Sequence, residues 1–174
     1  TNRLYPDYVL GPDLQPITDV VALWAGADGY VAQQVDGTIL QWGQRECAGL
    51  HWANDPAAES DVALPPGNWP SDVVQWESAG WIGLARLADG SVLSCGEVSG
   101  QFGLLPVPGF GPDNPAVDVA GAAGPAWWVV TASGEVWVRS NWSAVYEPLG
   151  IPGHTWTRLE LPEGAFAVGV TANA

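Results

Sequence analysis

Apolar and polar positions alternate along this chain in short runs, and the runs come in pairs around a glycine. The clearest instance is Leu84 to Leu105, LARLADGSVLSCGEVSGQFGLL. It predicts a strand, a tight turn at Asp89-Gly90, a second strand and a glycine-punctuated loop. Alternation with a period of two marks a half-buried strand. Asp-Gly between two such runs marks a hairpin, because glycine takes positive φ without steric cost. The pattern occurs earlier, in VAQQVDGTILQWGQRECAGL around Gly37, and later, in WVVTASGEVWVRSN around Gly134. No convincing run places apolar residues at i, i+3, i+4 and i+7, so no amphipathic helix is predicted.

Aligned on Gly37, Gly90 and Gly134, the copies agree beyond the turn. Two residues later stand Ile39, Val92 and Val136; five earlier stand Ala32, Ala85 and Val129. A second glycine follows the first two turns, Gly43 and Gly96, with Ser140 in the third copy. Asp19-Val20-Val21 and Asp72-Val73-Val74 begin eighteen residues before their turn glycines, whereas Asp118 lies sixteen before Gly134. The anchors are 53 and 44 residues apart, a spacing expected of solenoids, propellers or arrays. A β-sandwich also spaces strands regularly, but here the matches extend into both flanking strands. Three repeats are expected, at about 19–50, 72–105 and 117–142, within one domain over 1–174. In the first, strands are predicted at Val20–Trp24, Tyr30–Val35 and Thr38–Trp42. The Pro-rich stretch from His51 to Asp72 and PVPGFGPDNP at Pro106 to Pro115 are read as connections. Leu161 to Gly164, LPEG, echoes LPPG at Leu64 to Gly67, so the residues after it look like the entry to another repeat.

The assembled repeat resembles the regulator of chromosome condensation family of β-propeller repeats. The carrying residues are Leu84-Ala85, Asp89-Gly90, Val92, Gly96 and Gly100-Gln101-Phe102-Gly103-Leu104, with Val31-Ala32, Asp36-Gly37, Ile39, Trp42-Gly43 and Gly49-Leu50 in the first copy. The third copy is degenerate: Ser133-Gly134, Val136 and Trp137 remain, but Arg139-Ser140 replaces the Trp-Gly pair. The resemblance implies an all-β, propeller-type array with one four-stranded blade per repeat. It also implies roles in guanine-nucleotide exchange, chromatin binding or protein interaction, though no exchange-factor residue transfers. Roughly four to eight blades close a propeller, and repeat arrays need capped ends. Three repeats therefore leave two expectations. Either the termini build a composite fourth blade from Tyr8-Val9-Leu10 and Ala165–Thr171, or the open edges associate with another chain.

Charge narrows the partners. The chain carries 19 acidic and 5 basic residues, net −14, and every basic residue is arginine. Phosphate backbones and anionic lipid surfaces require clustered cations, so neither nucleic acid nor membrane is expected as a partner. The family's basic nucleosome-facing surface has no counterpart. No run is long and apolar enough for a signal peptide or a membrane span, which favours a cytoplasmic or virion-associated protein. The Met-free, lysine-free, Trp-rich usage suggests a high-GC genome such as an actinobacterium or its phage. Of the two cysteines, Cys95 occupies the slot of Trp42 in the first copy. Free thiols are favoured over a Cys47–Cys95 disulfide.

Catalytic signals are missing. His51 and His154 are far apart, and no HExxH, GxSxG, phosphate loop or CxxC occurs. Asp36 and Asp89 suit their turns. Asp55, Glu59 and Asp61 match no calcium loop and read as a solvated acidic stretch. Asn141-Trp142-Ser143 is a sequon without a secretory context. No cofactor and no metal is expected. The anomaly is eleven tryptophans. Trp42 and Trp137 fall within strands; Trp52, Trp69, Trp81, Trp142 and Trp156 fall in connections. Loop tryptophans supply rigid contact area typical of interface hot spots. The expected function is non-enzymatic. The chain reads as an interaction module that binds protein, self-associates or docks onto a larger assembly such as a virion surface or tail. A glycan-binding module using the five loop tryptophans is the alternative.

Overall fold

The computed structural model describes residues 9–25, 29–44, 59–64, 69–79, 82–96, 101–122, 126–140, 150 and 152–171. These form three four-stranded antiparallel sheets, each a meander in chain order. The first contains β1 (Val20–Ala25), β2 (Gly29–Gln34), β3 (Ile39–Gln44) and β4 (Glu59–Leu64). The second contains β5 (Val73–Ala79), β6 (Ile82–Leu87), β7 (Val92–Gly96) and β8 (Gln101–Pro106). The third contains β9 (Ala116–Ala122), β10 (Ala126–Thr131), β11 (Val136–Ser140) and the two-residue β12 (Thr157–Arg158). They are called blades 1, 2 and 3 below.

The three hairpins turn where the glycines stand. Gly37, Gly90 and Gly134 have φ of 85°, 83° and 79°, a region costly for any residue with a Cβ. Each turn closes with a paired bond, as in Gly90 N–H to Leu87 O at 3.0 Å and Leu87 N–H to Ser91 O at 2.9 Å. The turn aspartates accept from the backbone, Thr38 N–H to Asp36 and Ser91 N–H to Asp89, both at 2.8 Å. Those bonds hold both carboxyls below the usual carboxylate range.

Each pairing of first and second strand carries a bulge near its start, and the register fixes which residues correspond. Val20, Val73 and Ala116 face the residue three before the turn glycine. Beyond the bulge, Ala22, Gln75 and Asp118 correspond, then Leu23, Trp76 and Val119. Asp118 thus matches Gln75, not Asp72. The residue standing with Asp19 and Asp72 is Pro115. The carbonyls of these three accept Val35 N–H, Ala88 N–H and Ala132 N–H at 2.8, 3.0 and 2.8 Å.

Several expectations are corrected. β4 lies within the stretch read as a connection, and β8 replaces the expected glycine-punctuated loop. Both are outer strands, where proline such as Pro106 is tolerated because one edge needs no donor. Val9 O accepts Ile17 N–H at 2.9 Å, and Leu10 bridges Pro16. The N-terminal run therefore folds back on itself, and among the described residues it builds no composite blade with 165–171. Cys95 is disulfide-bonded, not a free thiol; Cys47 is outside the described residues.

Two apolar cores lie between blades. Val31 and Ile39 of blade 1 pack with Val73, Trp76, Ala85 and Cys95 of blade 2. Leu84 and Val92 of blade 2 pack with Ala116, Val119, Trp127 and Val129 of blade 3, closed by Val107 and Phe110. Each blade thus has a leading face toward the blade before it and a trailing face toward the blade after it.

Candidate interaction face

The corresponding positions on the three leading faces differ sharply in exposure. Val73 and Ala116 are 1% and 3% exposed, but Val20 is 41%. Trp76 and Val119 are 3% and 1% exposed, but Leu23 is 61%. Gly83 and Trp127 are buried, and their counterpart Tyr30 is 46% exposed. The contrast is specific to this face. Val21, Val74 and Val117, on the opposite side of their strands, are exposed in all three blades. Ala32 on β2 and Leu40 on β3, paired in line with Leu23 on the same face, are buried, so the open patch consists of Val20, Leu23 and Tyr30. Tyr30 stacks on Trp42 with ring centroids 5.5 Å apart and planes at 18°, which fixes the aromatic wall of the patch. Chemically it is an apolar surface that offers packing and no charge.

At the junction of blades 2 and 3, polar groups set the register. Gln75 Nε2 donates to Asp118 Oδ1 at 2.8 Å and to Val119 O at 2.9 Å. Arg86 Nε donates to Gln75 Oε1 at 3.1 Å. Half-buried Glu77 has its carboxyl pushed above the usual range by burial, with Asp118 adding to the effect. Beyond blade 3, the 165–171 segment lies against the sheet: Ala167 N–H reaches Gly134 O at 3.2 Å and Val170 N–H reaches Asp118 Oδ2 at 2.8 Å.

Of the five loop tryptophans, Trp69 and Trp156 are described. Trp69 packs on Trp76 at 4.7 Å, and Trp156 meets Phe110 edge to face at 5.5 Å. Both are half-buried against the cores. Their indole N–H groups are buried without a hydrogen-bond partner. Trp52, Trp81 and Trp142 fall outside the described residues, as do His51, Asp55 and the sequon. Among the described residues no group of three His, Cys, Asp or Glu side chains is placed to hold a metal, and no helix is long and apolar enough to cross a membrane. An open cavity of about 350 Å³ at Gly109–Asn114 is lined mainly by loop glycines, Pro112 and Phe110. The patch on blade 1 was not legible beforehand, because Val20-Val21 reads like Val73-Val74.

No family model and no curated sequence matches the chain. Solved structures do. Human WBSCR16 aligns with a TM-score of 0.66 at 16% identity, over 88% of this chain and 42% of its own. Yeast RCC1 (Prp20), in its structure bound to Kap60, aligns with a TM-score of 0.66 at 15% identity, over 86% and 39%. A second structure of Prp20p from Saccharomyces cerevisiae, described with binding to Gsp1p and histones, gives 0.63 at 17% identity, over 86% and 41%. The fold is an RCC1-like β-propeller. The chain spans about two fifths of each of these proteins, and at such identities the likeness is one of fold alone. Within that RCC1-like frame, β1, β5 and β9 are the inner strands, each starting its blade.

Proposed function

We propose that this protein is a non-enzymatic interaction module whose docking surface is the open leading face of blade 1. The observation that carries this reading is the exposure of Val20, Leu23 and Tyr30 at positions that blades 2 and 3 bury against a neighbour. A face shaped for packing and left uncovered marks a protein-binding surface more than a catalytic cleft. The RCC1-like neighbour Prp20 is bound to Kap60 in one structure and described with Gsp1p and histones in another, which supports a protein as the partner class. With net charge −14, the partner contributes apolar surface or cations. The setting we infer is a larger assembly, with a phage virion surface or tail suggested by the lysine-free, Met-free composition.

The test compares the full chain with Leu23→Asp as immobilised baits. Each is offered its own free copy and an extract of the source. A specific protein held by the wild type and lost by Leu23→Asp, with an unchanged cooperative melt, is the expected result. Equal retention by both baits, or none by either, would overturn the assignment of this face.

A further inference from the structure

We propose that Trp127, Arg139 and Trp156, in a row across the leading face of blade 3, form a binding site for a small oxyanion, free or carried as the phosphate, sulfate or carboxylate group of a larger ligand. The site is separate from the open face of blade 1.

Strand pairing sets the row. Trp127 of β10 pairs with Arg139 of β11. β11 pairs with β12 through Trp137 with Arg158 and Val138 with Thr157, so the next step of that ladder puts Trp156 across from Arg139. Trp127 and Trp156 both pack into the core between blades 2 and 3, which places the row on that face. Cross-strand neighbours on one face stand about 4.5–5.5 Å apart at Cβ. Each member brings an N–H that is buried without an acceptor: Trp127 Nε1, Arg139 Nε and Trp156 Nε1. Trp127 is 1% exposed, so its donor is withdrawn from solvent. Phe110 holds the Trp156 ring edge to face at 5.5 Å.

The fold does not demand these residues. In blade 1 the positions of Trp127 and Arg139 are taken by Tyr30 and Trp42, whose rings stack on each other. In blade 2 they are taken by Gly83 and Cys95, and the Trp76 ring lies where a Cβ on Gly83 would stand. Both are neutral, closed pairs. Blade 3 replaces them with an indole donor and a cation. Among the described residues the other arginines have partners. Arg86 donates to Gln75 Oε1 at 3.1 Å, and Arg158 meets Glu135 at 2.8 Å and Glu160 at 3.6 Å. Arg139 has none, and burial alone holds its guanidinium below its ordinary range. A half-buried cation without a counter-charge is costly, and an oxyanion supplies that charge.

The kind of orphan group selects the ligand. All three are donors. A bridging water must donate as well as accept, whereas the oxygens of an oxyanion only accept, and their charge strengthens each bond. The orphans on blade 1 and its junction are different in kind: Trp69 Nε1 is a donor and Gln41 Oε1 an acceptor. The Nε edge of an arginine grips two oxygens of a carboxylate or phosphate in a fixed fork. Here the strands on either side of Arg139 add one indole donor each. Arg139 is half-buried, which leaves a ligand a way in.

The experiment follows side-chain N–H signals of the isotope-labelled full chain by NMR. The titrants are sodium phosphate, sodium sulfate and sodium acetate, with ionic strength held constant by sodium chloride. With one or more of these anions, the signals of Trp127 Nε1, Arg139 Nε and Trp156 Nε1 should shift together and saturate. Those of Trp69 and of Trp137, whose indole donates to Glu135 at 3.2 Å, should stay in place. Arg139→Gln, with a cooperative melt, should weaken the binding by about tenfold to a hundredfold, the scale of one hydrogen bond to a charged group. Saturation by phosphate or sulfate alone supports the site for a tetrahedral group, and saturation by acetate supports it for a carboxylate. No saturable shift with any of the three anions overturns the proposal. So do shifts that reach Trp69 and Trp137 equally, or binding indifferent to Arg139→Gln. Should that variant not fold, the wild-type pattern decides alone: joint saturation of the three signals supports the site, and anything less overturns it.

Discussion

Gly37, Gly90 and Gly134 share one backbone conformation in three surroundings, so replacing each with alanine separates the cost of the turn from the cost of the junction. Left-handed backbone costs an L-residue about 1–2 kcal/mol. The smaller conformational entropy of unfolded alanine returns about 0.4–1 kcal/mol. Gly37→Ala, whose added methyl meets nothing within 4 Å, should therefore destabilise by roughly 0.5–1 kcal/mol. Gly90→Ala bears the same two terms and also drives its methyl into Pro115 and the backbone of Ala116. Overpacking of this kind adds about 1–3 kcal/mol, because Pro115 is held by its carbonyl bond to Ala132 N–H. The nearest atoms to a methyl on Gly134→Ala belong to the ring of Phe166, a side chain that is 60% exposed and so has solvent to move into. This variant should fall close to Gly37→Ala. Urea titrations give the order, with thermal midpoints shifting by roughly 2–4 °C per kcal/mol at this chain length. Equal losses for Gly37→Ala and Gly90→Ala would refute the seating of blade 3 on the turn of blade 2.

Three further outcomes follow from the same geometry. Glu77 has a folded-state pKa raised by burial, so the folded chain holds its proton more tightly than the unfolded one. Its contribution is therefore lost as pH rises upward from the ordinary 4.5; Glu77→Gln should raise the midpoint at pH 7 more than at pH 4, and equal gains would count against it. Asp118→Ala removes one of the two acceptors of Gln75 Nε2 and the acceptor of Val170 N–H. Amide exchange should quicken at Val170 while Ala116, bonded to Gly90 O, keeps its protection. Reduction should lower stability by about 2–4 kcal/mol, since Cys95 is bonded within the core between blades 1 and 2; an unchanged melt in reductant would exclude a structural role for that bond.

The hairpins were legible because Asp-Gly turns and period-two alternation are local signals, and Gly37, Gly90 and Gly134 carry both. The outer strands were not. Glu59–Leu64 and Gln101–Pro106 mix charge, glycine and proline, and they become strands only because β3 and β7 offer an unpaired edge. In sequence Asp118 stands beside Asp19 and Asp72 as a third aspartate upstream of a turn glycine, at sixteen residues in place of eighteen. Pairing shows it to be a different position, one whose side chain accepts from Gln75 Nε2 and Val170 N–H. The open patch was illegible for a related reason. Leu23 and Trp76 are both apolar in sequence, and it is the packing of blade 1 against Trp76 that buries one while the other is exposed.

Among the described residues blade 2 packs into a core on each side, whereas blade 1 shares one core, with blade 2. In an array held by nearest-neighbour interfaces, an element with one interface opens at lower free energy than an element with two. Unfolding of the isolated chain should therefore start as a sub-global opening at β1–β3, with the Trp76 junction as the boundary where it pauses. Proteases acting on the native protein would find their first cuts there. Any partner that seats on Leu23 would then act as a clasp, closing the part of the molecule that opens most readily.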